Sequence, residues 1–218
     1  MQRLRCLVVP LAALTFGGST VAGAQAATFI AFLTNGQEAP PAVPTLTTGA
    51  PRPISFGTAS FFLNDARTSL TFVAAIQNID FTGTQTADPN DNLLAAHIHA
   101  GTTATPTFPV VWGFFGSPFN DVNSSAAANC IPSATGVGGT CSATWDLTEG
   151  NGGTTLAAQL PNIFAGNAYI NYHTVQFPGG EIRGALLLTP EPATVALLGT
   201  GLAVLALVGV RRRRDGTT

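Results

Sequence analysis

There is no lysine anywhere in the 218 residues, and charged side chains make up only 9% of the chain. Between Ala27 and Thr189 there are three arginines (Arg52, Arg67, Arg183) against nine carboxylates, a net charge of −6. Nucleic acid needs clustered positive charge, so this composition excludes it as a partner; a cation suits the segment better. Cysteine is almost missing too, with Cys6, Cys130 and Cys141 the full set. Two cysteines beyond the N-terminus are a weak metal signal and read instead as one disulfide. No G-x-S-x-G occurs, no reactive free cysteine is in prospect, and no carboxylate pair has a spacing suited to acid–base work. Enzymatic activity therefore gets little support.

Long apolar runs are confined to the two ends. Arg3 and Arg5 precede the apolar stretch Cys6 to Phe16, and Ala24-Gln25-Ala26 follows as an A-x-A site. This is the pattern of a secretory signal peptide over residues 1–26. Export makes the Cys130–Cys141 disulfide plausible chemistry, because oxidising compartments preserve such bonds. At the other end Pro190-Glu191-Pro192 precedes an uncharged run, 193–210, and then Arg211, Arg212, Arg213 and Arg214. Eighteen apolar residues reach about 27 Å as a helix, enough to span a hydrocarbon core. Four arginines beside it belong on the cytoplasmic side. The three-part pattern over 190–214 resembles the PEP-CTERM sorting tail of exopolysaccharide-producing Gram-negative bacteria. The resemblance implies an inner-membrane anchor until an exosortase-type enzyme removes the tail, with exopolysaccharide or envelope proteins as further partners. The ectodomain would then be periplasmic or extracellular.

The remaining segment, 27–189, is long enough for one domain with a real core. It is rich in Thr, Phe, Gly, Ala and Asn. Short apolar or alternating runs recur between Gly, Pro and Asn breaks. They predict strands over 28–33, 56–63, 69–76, 93–99, 109–115, 142–147, 168–173 and 181–188. Thr154 to Phe164 is the one short helix, capped by Thr154 or Thr155. Pro40 to Pro53 holds five prolines and reads as a loop, as does Gly116 to Thr140. Many short strands argue an all-β, antiparallel β-sandwich, immunoglobulin-like or superoxide-dismutase-like.

All three histidines fall in two motifs, Ala96-His97-Ile98-His99-Ala100-Gly101 and Asn171-Tyr172-His173-Thr174. Strand residues i and i+2 share a face, so His97 and His99 project together, as do Tyr169, Asn171 and His173. Phe177-Pro178-Gly179-Gly180 is a turn that folds the second strand into a hairpin with the segment after Glu181. Glu181 and Arg183 read as a structural ion pair or a binding pair, and Glu38 as a similar polar group. Asp88-Pro89-Asn90-Asp91-Asn92 lacks the glycine and glutamate of an EF-hand loop and reads as an Asx-capped turn. Trp112 and Trp145 read as core.

Leu33-Thr34-Asn35-Gly36-Gln37-Glu38-Ala39-Pro40-Pro41, then Ala96 to His99, then Asn171 to Thr174 with Pro178-Gly179-Gly180-Glu181-Ile182-Arg183-Gly184 resemble the CHRD domain, named from the chordin family. Phe177 and Ala185 depart from its usual Asn and Gln. The leading functional reading is an exported, non-catalytic envelope or extracellular-matrix module that binds a surface, polymer or partner and requires no cofactor. The second is a periplasmic or surface protein binding copper or zinc through His97, His99 and His173, with redox activity an option. An H-x-H strand plus a third histidine is similar to the copper site of Cu/Zn superoxide dismutase. Structural histidines, hydrogen-bonded to Glu181, Asn171 or backbone, are the competing account.

Overall fold

A computed structural model describes residues 26–102, 107–190, 199–202 and 205. The signal peptide expected over 1–26 lies outside these save Ala26. So does the sorting tail, apart from Pro190, 199–202 and 205, including most of the expected span 193–210. Among the described residues no helix is long and apolar enough to cross a membrane.

Ten strands form the domain's framework among the described residues: β1 (Ala27–Thr34), β2 (Phe56–Leu63), β3 (Ser69–Gln77), β4 (Leu93–Ala100), β5 (Val110–Phe115), β6 (Cys130–Pro132), β7 (Gly138–Asp146), β8 (Ala168–Thr174), β9 (Ile182–Ala185) and β10 (Leu187–Leu188). Two helices interrupt them, α1 (Ala126–Asn129) and α2 (Leu156–Phe164). The expectation of an all-β, antiparallel domain holds. The division into two sandwiched sheets does not, because the strands form one continuous sheet in the order β5-β4-β8-β9-β1-β2-β3-β7-β6. β1 is the reason. It pairs with β2 along its whole length on one side, and on the other with β10 (Phe29 opposite Leu188) and β9 (Thr34 opposite Arg183). With both edges of β1 bonded, the sheet cannot separate there. It curls instead and is nearly closed into a barrel.

Aromatic packing brings the two ends of the sheet together. Trp112 on β5 stacks on Trp145 of β7 with centroids 5.7 Å apart, and Phe72 of β3 meets Phe114 of β5 at 4.7 Å. Both tryptophans are fully buried. Their N–H groups find acceptors on one residue: Trp112 donates to the Glu149 carboxylate (3.0 Å) and Trp145 to its carbonyl (2.8 Å). A buried indole N–H without an acceptor would be costly. α2 begins at Thr155, whose hydroxyl accepts from the Ala158 N–H, and it buries Leu156 and Ile163.

β2 shows the alternation of a half-buried strand, with Gly57, Ala59, Phe61 and Leu63 inward and Phe56, Thr58, Ser60 and Phe62 exposed. β8 breaks that rule, since all seven of its residues are buried. One face of β8 meets the core, and the other is covered by something else.

Cys130 and Cys141 are bonded, as expected, and stand directly opposite each other in the β6–β7 ladder. The segment between them is less of a surface insertion than the sequence suggested. Cys141 is fully buried and sits on β7, which pairs with β3 over nine positions. The closed loop is short, with a sequence separation of 11. Chain-entropy reasoning gives such a cross-link about 3 kcal/mol. Urea unfolding of the purified protein with and without reductant is expected to show a loss of that size. An unchanged midpoint after complete reduction would show that β6 and β7 hold without the bond.

Candidate functional site

Strand periodicity sorts the side chains of β4 and β8 into two sets. Ala96, Ile98, Ala100, Ala168, Ile170 and Tyr172 face the hydrophobic core. His97, His99, Tyr169, Asn171 and His173 alternate with them on the opposite face. The register makes His97 neighbour to Asn171, His99 to Tyr169, and Ala95 to His173. All three imidazoles are buried, at 4%, 7% and 6% exposure. The cover comes from segments around Phe108, Ser117 and Pro178, each of which presents a backbone carbonyl oxygen to one imidazole.

Those carbonyls fix the proton positions. A carbonyl oxygen can only accept, so the ring nitrogen facing it must carry the hydrogen. His97 Nε2 donates to Ser117 O (3.1 Å), His99 Nδ1 to Phe108 O (2.8 Å) and His173 Nδ1 to Pro178 O (3.0 Å). A neutral imidazole has one N–H, and each is now used. His97 Nδ1, His99 Nε2 and His173 Nε2 are therefore bare lone pairs. His97 Nδ1 and His173 Nε2 face each other at 3.2 Å with no proton between them. His99 Nε2 is buried and has no hydrogen-bond partner. One ring nitrogen from each histidine lies within 4.8 Å of the other two.

Electrostatics keeps the rings neutral. Burial pushes His97 down to about 3, helped by His173 and His99, although the Ser117 carbonyl pulls the other way. Burial likewise pushes His99 down to about 4, against the Phe108 carbonyl, with His173 and Arg183 adding to the depression. His173 is lowered by burial and partly restored by the Pro178 carbonyl.

Gly113 on β5 makes the arrangement possible. It stands opposite His97, and a Cβ there would lie 1.9 Å from the Pro118 oxygen and 3.0 Å from His97 Cδ2. Any side chain would push away the loop that holds the Ser117 carbonyl. Asn120 fastens the same loop, its side chain accepting from the Gly113 N–H (3.0 Å) and its own N–H donating to Gly113 O (2.8 Å).

The polar residues beside the histidines are paired differently from the sequence expectation. Glu181 does not pair with Arg183. Its carboxylate meets Arg52 at 2.5 Å and also accepts from Ser55 and from Thr174 (2.6 Å). Arg183 lies 3.8 Å from Glu38, donates to the Gln37 carbonyl and sits over the Tyr169 ring, which stacks on His99 at 4.8 Å. Glu38 is raised to about 7, chiefly by burial, with Arg183 opposing and Glu181 reinforcing the rise. Asn171 is buried between these groups and the histidines; its Oδ1 has no hydrogen-bond partner. Arg52 was missed by the sequence reading, though a lone arginine within a proline-rich, otherwise uncharged stretch was a usable signal. The three covering carbonyls left no signal at all, since backbone oxygens are the same in every residue.

Two family comparisons match. The CHRD domain matches residues 29–186, and the PEP-CTERM protein-sorting motif matches residues 188–214. The chain belongs to the CHRD domain family. No curated protein and no solved structure matches it. The sorting motif makes this CHRD protein an exported protein of the cell envelope and implies processing by an exosortase-type system. The histidine motifs, Glu38, Asn171 and Arg183 all fall within the matched CHRD segment.

Neutral buried histidines give the CHRD domain a definite acid response. An unfolded histidine titrates near 6.5, so the stability held by His97 and His99 is complete above that pH and is lost as pH falls toward 4. Each contributes a slope of about 1.4 kcal/mol per pH unit across the window. Glu38 works in the opposite sense, since its raised value favours the fold below 4.5 and loses that advantage as pH rises through 7. Two strongly depressed histidines outweigh one carboxyl. The urea midpoint of metal-free protein is expected to be lower at pH 5 than at pH 7. A midpoint that rose on acidification would show protonated imidazoles in the fold.

Proposed function

We propose that this CHRD protein is an exported envelope protein that binds copper or zinc, with His97 Nδ1, His99 Nε2 and His173 Nε2 as ligands. One observation carries the reading: every N–H in the cluster is spent on a backbone carbonyl, so three lone pairs converge. Metal-ligating histidines characteristically donate their second ring nitrogen to a carbonyl or carboxylate, which fixes tautomer and ring orientation. A purely structural cluster would share those backbone bonds, so the inward nitrogens are what separate the two readings. Here it would leave two facing lone pairs and an orphaned buried acceptor, each costing about 1–3 kcal/mol. Metal–nitrogen bonds of about 2.0–2.1 Å need a tighter cluster than 4.8 Å, so His99 would move inward on binding. Three imidazoles suit copper and zinc, and copper is the tighter of the two in the usual affinity order. Binding, rather than catalysis, is the role these residues support.

The test is calorimetric titration of the purified, chelator-treated protein with copper and with zinc. One equivalent is expected to bind, and His99→Ala should weaken binding more than about 100-fold, beyond the loss known for outer partners of metal ligands. The apo His99→Ala protein should stay folded. If the same substitution lowered the unfolding midpoint while neither form bound metal, the histidines would be structural.

A further inference from the structure

A divalent ion held by three neutral imidazoles keeps its full charge. Among the described residues no Asp, Glu or Cys joins the cluster to offset it. Of the nearby carboxylates, Glu181 is paired with Arg52, and Glu38 lies 3.8 Å from Arg183 with its Oε1 buried and unpartnered. Arg183 adds a further positive charge beside the site, over the ring that stacks on His99. An uncompensated charge in a buried setting is strongly unfavourable, and tetrahedral coordination leaves a fourth position beyond the three nitrogens. Charge and coordination number therefore call for the same thing, an anionic fourth ligand from outside the chain.

The fold provides a place for it. A cavity of about 440 Å³ is bounded by His97 and His173, though not by His99. Its other walls come from Leu94, Ala95, Val110, Pro118 and Pro178, with the Ser117 backbone between them. The Ser117 and Pro178 carbonyls are already engaged by histidine N–H groups. The walls thus offer apolar surface and no cation of their own, and an anion entering here finds the metal as its one strong partner. Leu94 is half exposed at the rim, whereas Ala95, opposite His173 in the ladder, is buried.

We propose that this cavity admits a small monoanion to the fourth coordination position of the three-histidine site. The inference rests on the metal reading above and goes beyond it, because a site closed by water alone or by a protein group would satisfy that reading equally.

Azide is the probe. Copper(II)-loaded protein is expected to develop a saturable azide-to-copper charge-transfer absorption and a changed electron paramagnetic resonance spectrum, with copper remaining bound. Leu94→Trp, which adds bulk at the exposed rim, should weaken azide binding about tenfold or more and leave copper stoichiometry at one. Ala95→Leu, which fills the cavity beside His173, should do the same or more. Copper uptake with a spectrum indifferent to azide would overturn the inference while leaving the metal site standing. So would azide binding that neither substitution weakens. Failure of the wild-type protein to take up copper or zinc at all would overturn both.

Discussion

A carbonyl oxygen cannot donate a hydrogen bond, and the chemistry of the histidine cluster depends on that asymmetry. Three backbone oxygens, of Phe108, Ser117 and Pro178, each claim one imidazole hydrogen. Had any of them been a hydroxyl, the tautomer would be free to change; an amide N–H would have forced the proton onto the inward nitrogen. Burial reinforces the constraint by making the doubly protonated ring unfavourable. The electron pairs thus point where they do because of loops that contribute no functional side chain.

Those loops are positioned by the sheet. β4 and β8 supply an apolar face to the core and an imidazole face to the outside, a direct result of two-residue periodicity. On β2 the equivalent outer face is open to solvent. Over β4 and β8 it is roofed, by Phe108 just before β5, by the segment just after β5, and by the turn between β8 and β9. Gly113 lets one of these returns approach closely, and the Arg52–Glu181 ion pair ties the last to the proline-rich segment. A buried ion pair of this kind adds little net stability, but breaking it would leave a charge with no partner. Its role is to hold the β8–β9 hairpin in one place.

Much of this was legible in the residues. The strand 56–63 matches β2 end to end, and the alternation put His97 and His99 on one face of β4 and His173 on one face of β8, which the β4–β8 pairing brings together. The helix capped at Thr154 or Thr155, which the structure resolves to Thr155, and the Cys130–Cys141 bond were also readable, from a capping threonine and from cysteine arithmetic in an exported chain. What the residues did not disclose were relations between distant backbones. Nothing local marks β1 as bonded on both edges, so the continuous sheet was read as two. β6 is three residues long and ends in proline, too short for any period to register. Glu181 and Arg183 are two apart in sequence, which made them look like partners, yet a hairpin start re-aims Glu181 toward Arg52. The covering carbonyls have no side-chain signature, and so the tautomers could be argued only from coordinates.

The distance along the chain between the ligands has a consequence for timing. His97 and His173 are 76 residues apart, and the outer edge of β1 stays without its neighbour until β9 and β10 are available. A polypeptide is synthesised from its N-terminus. The first two imidazoles are therefore made well before the third, and the cluster cannot form until nearly the whole domain is available. The histidine cluster is thus among the last features of the domain to be completed.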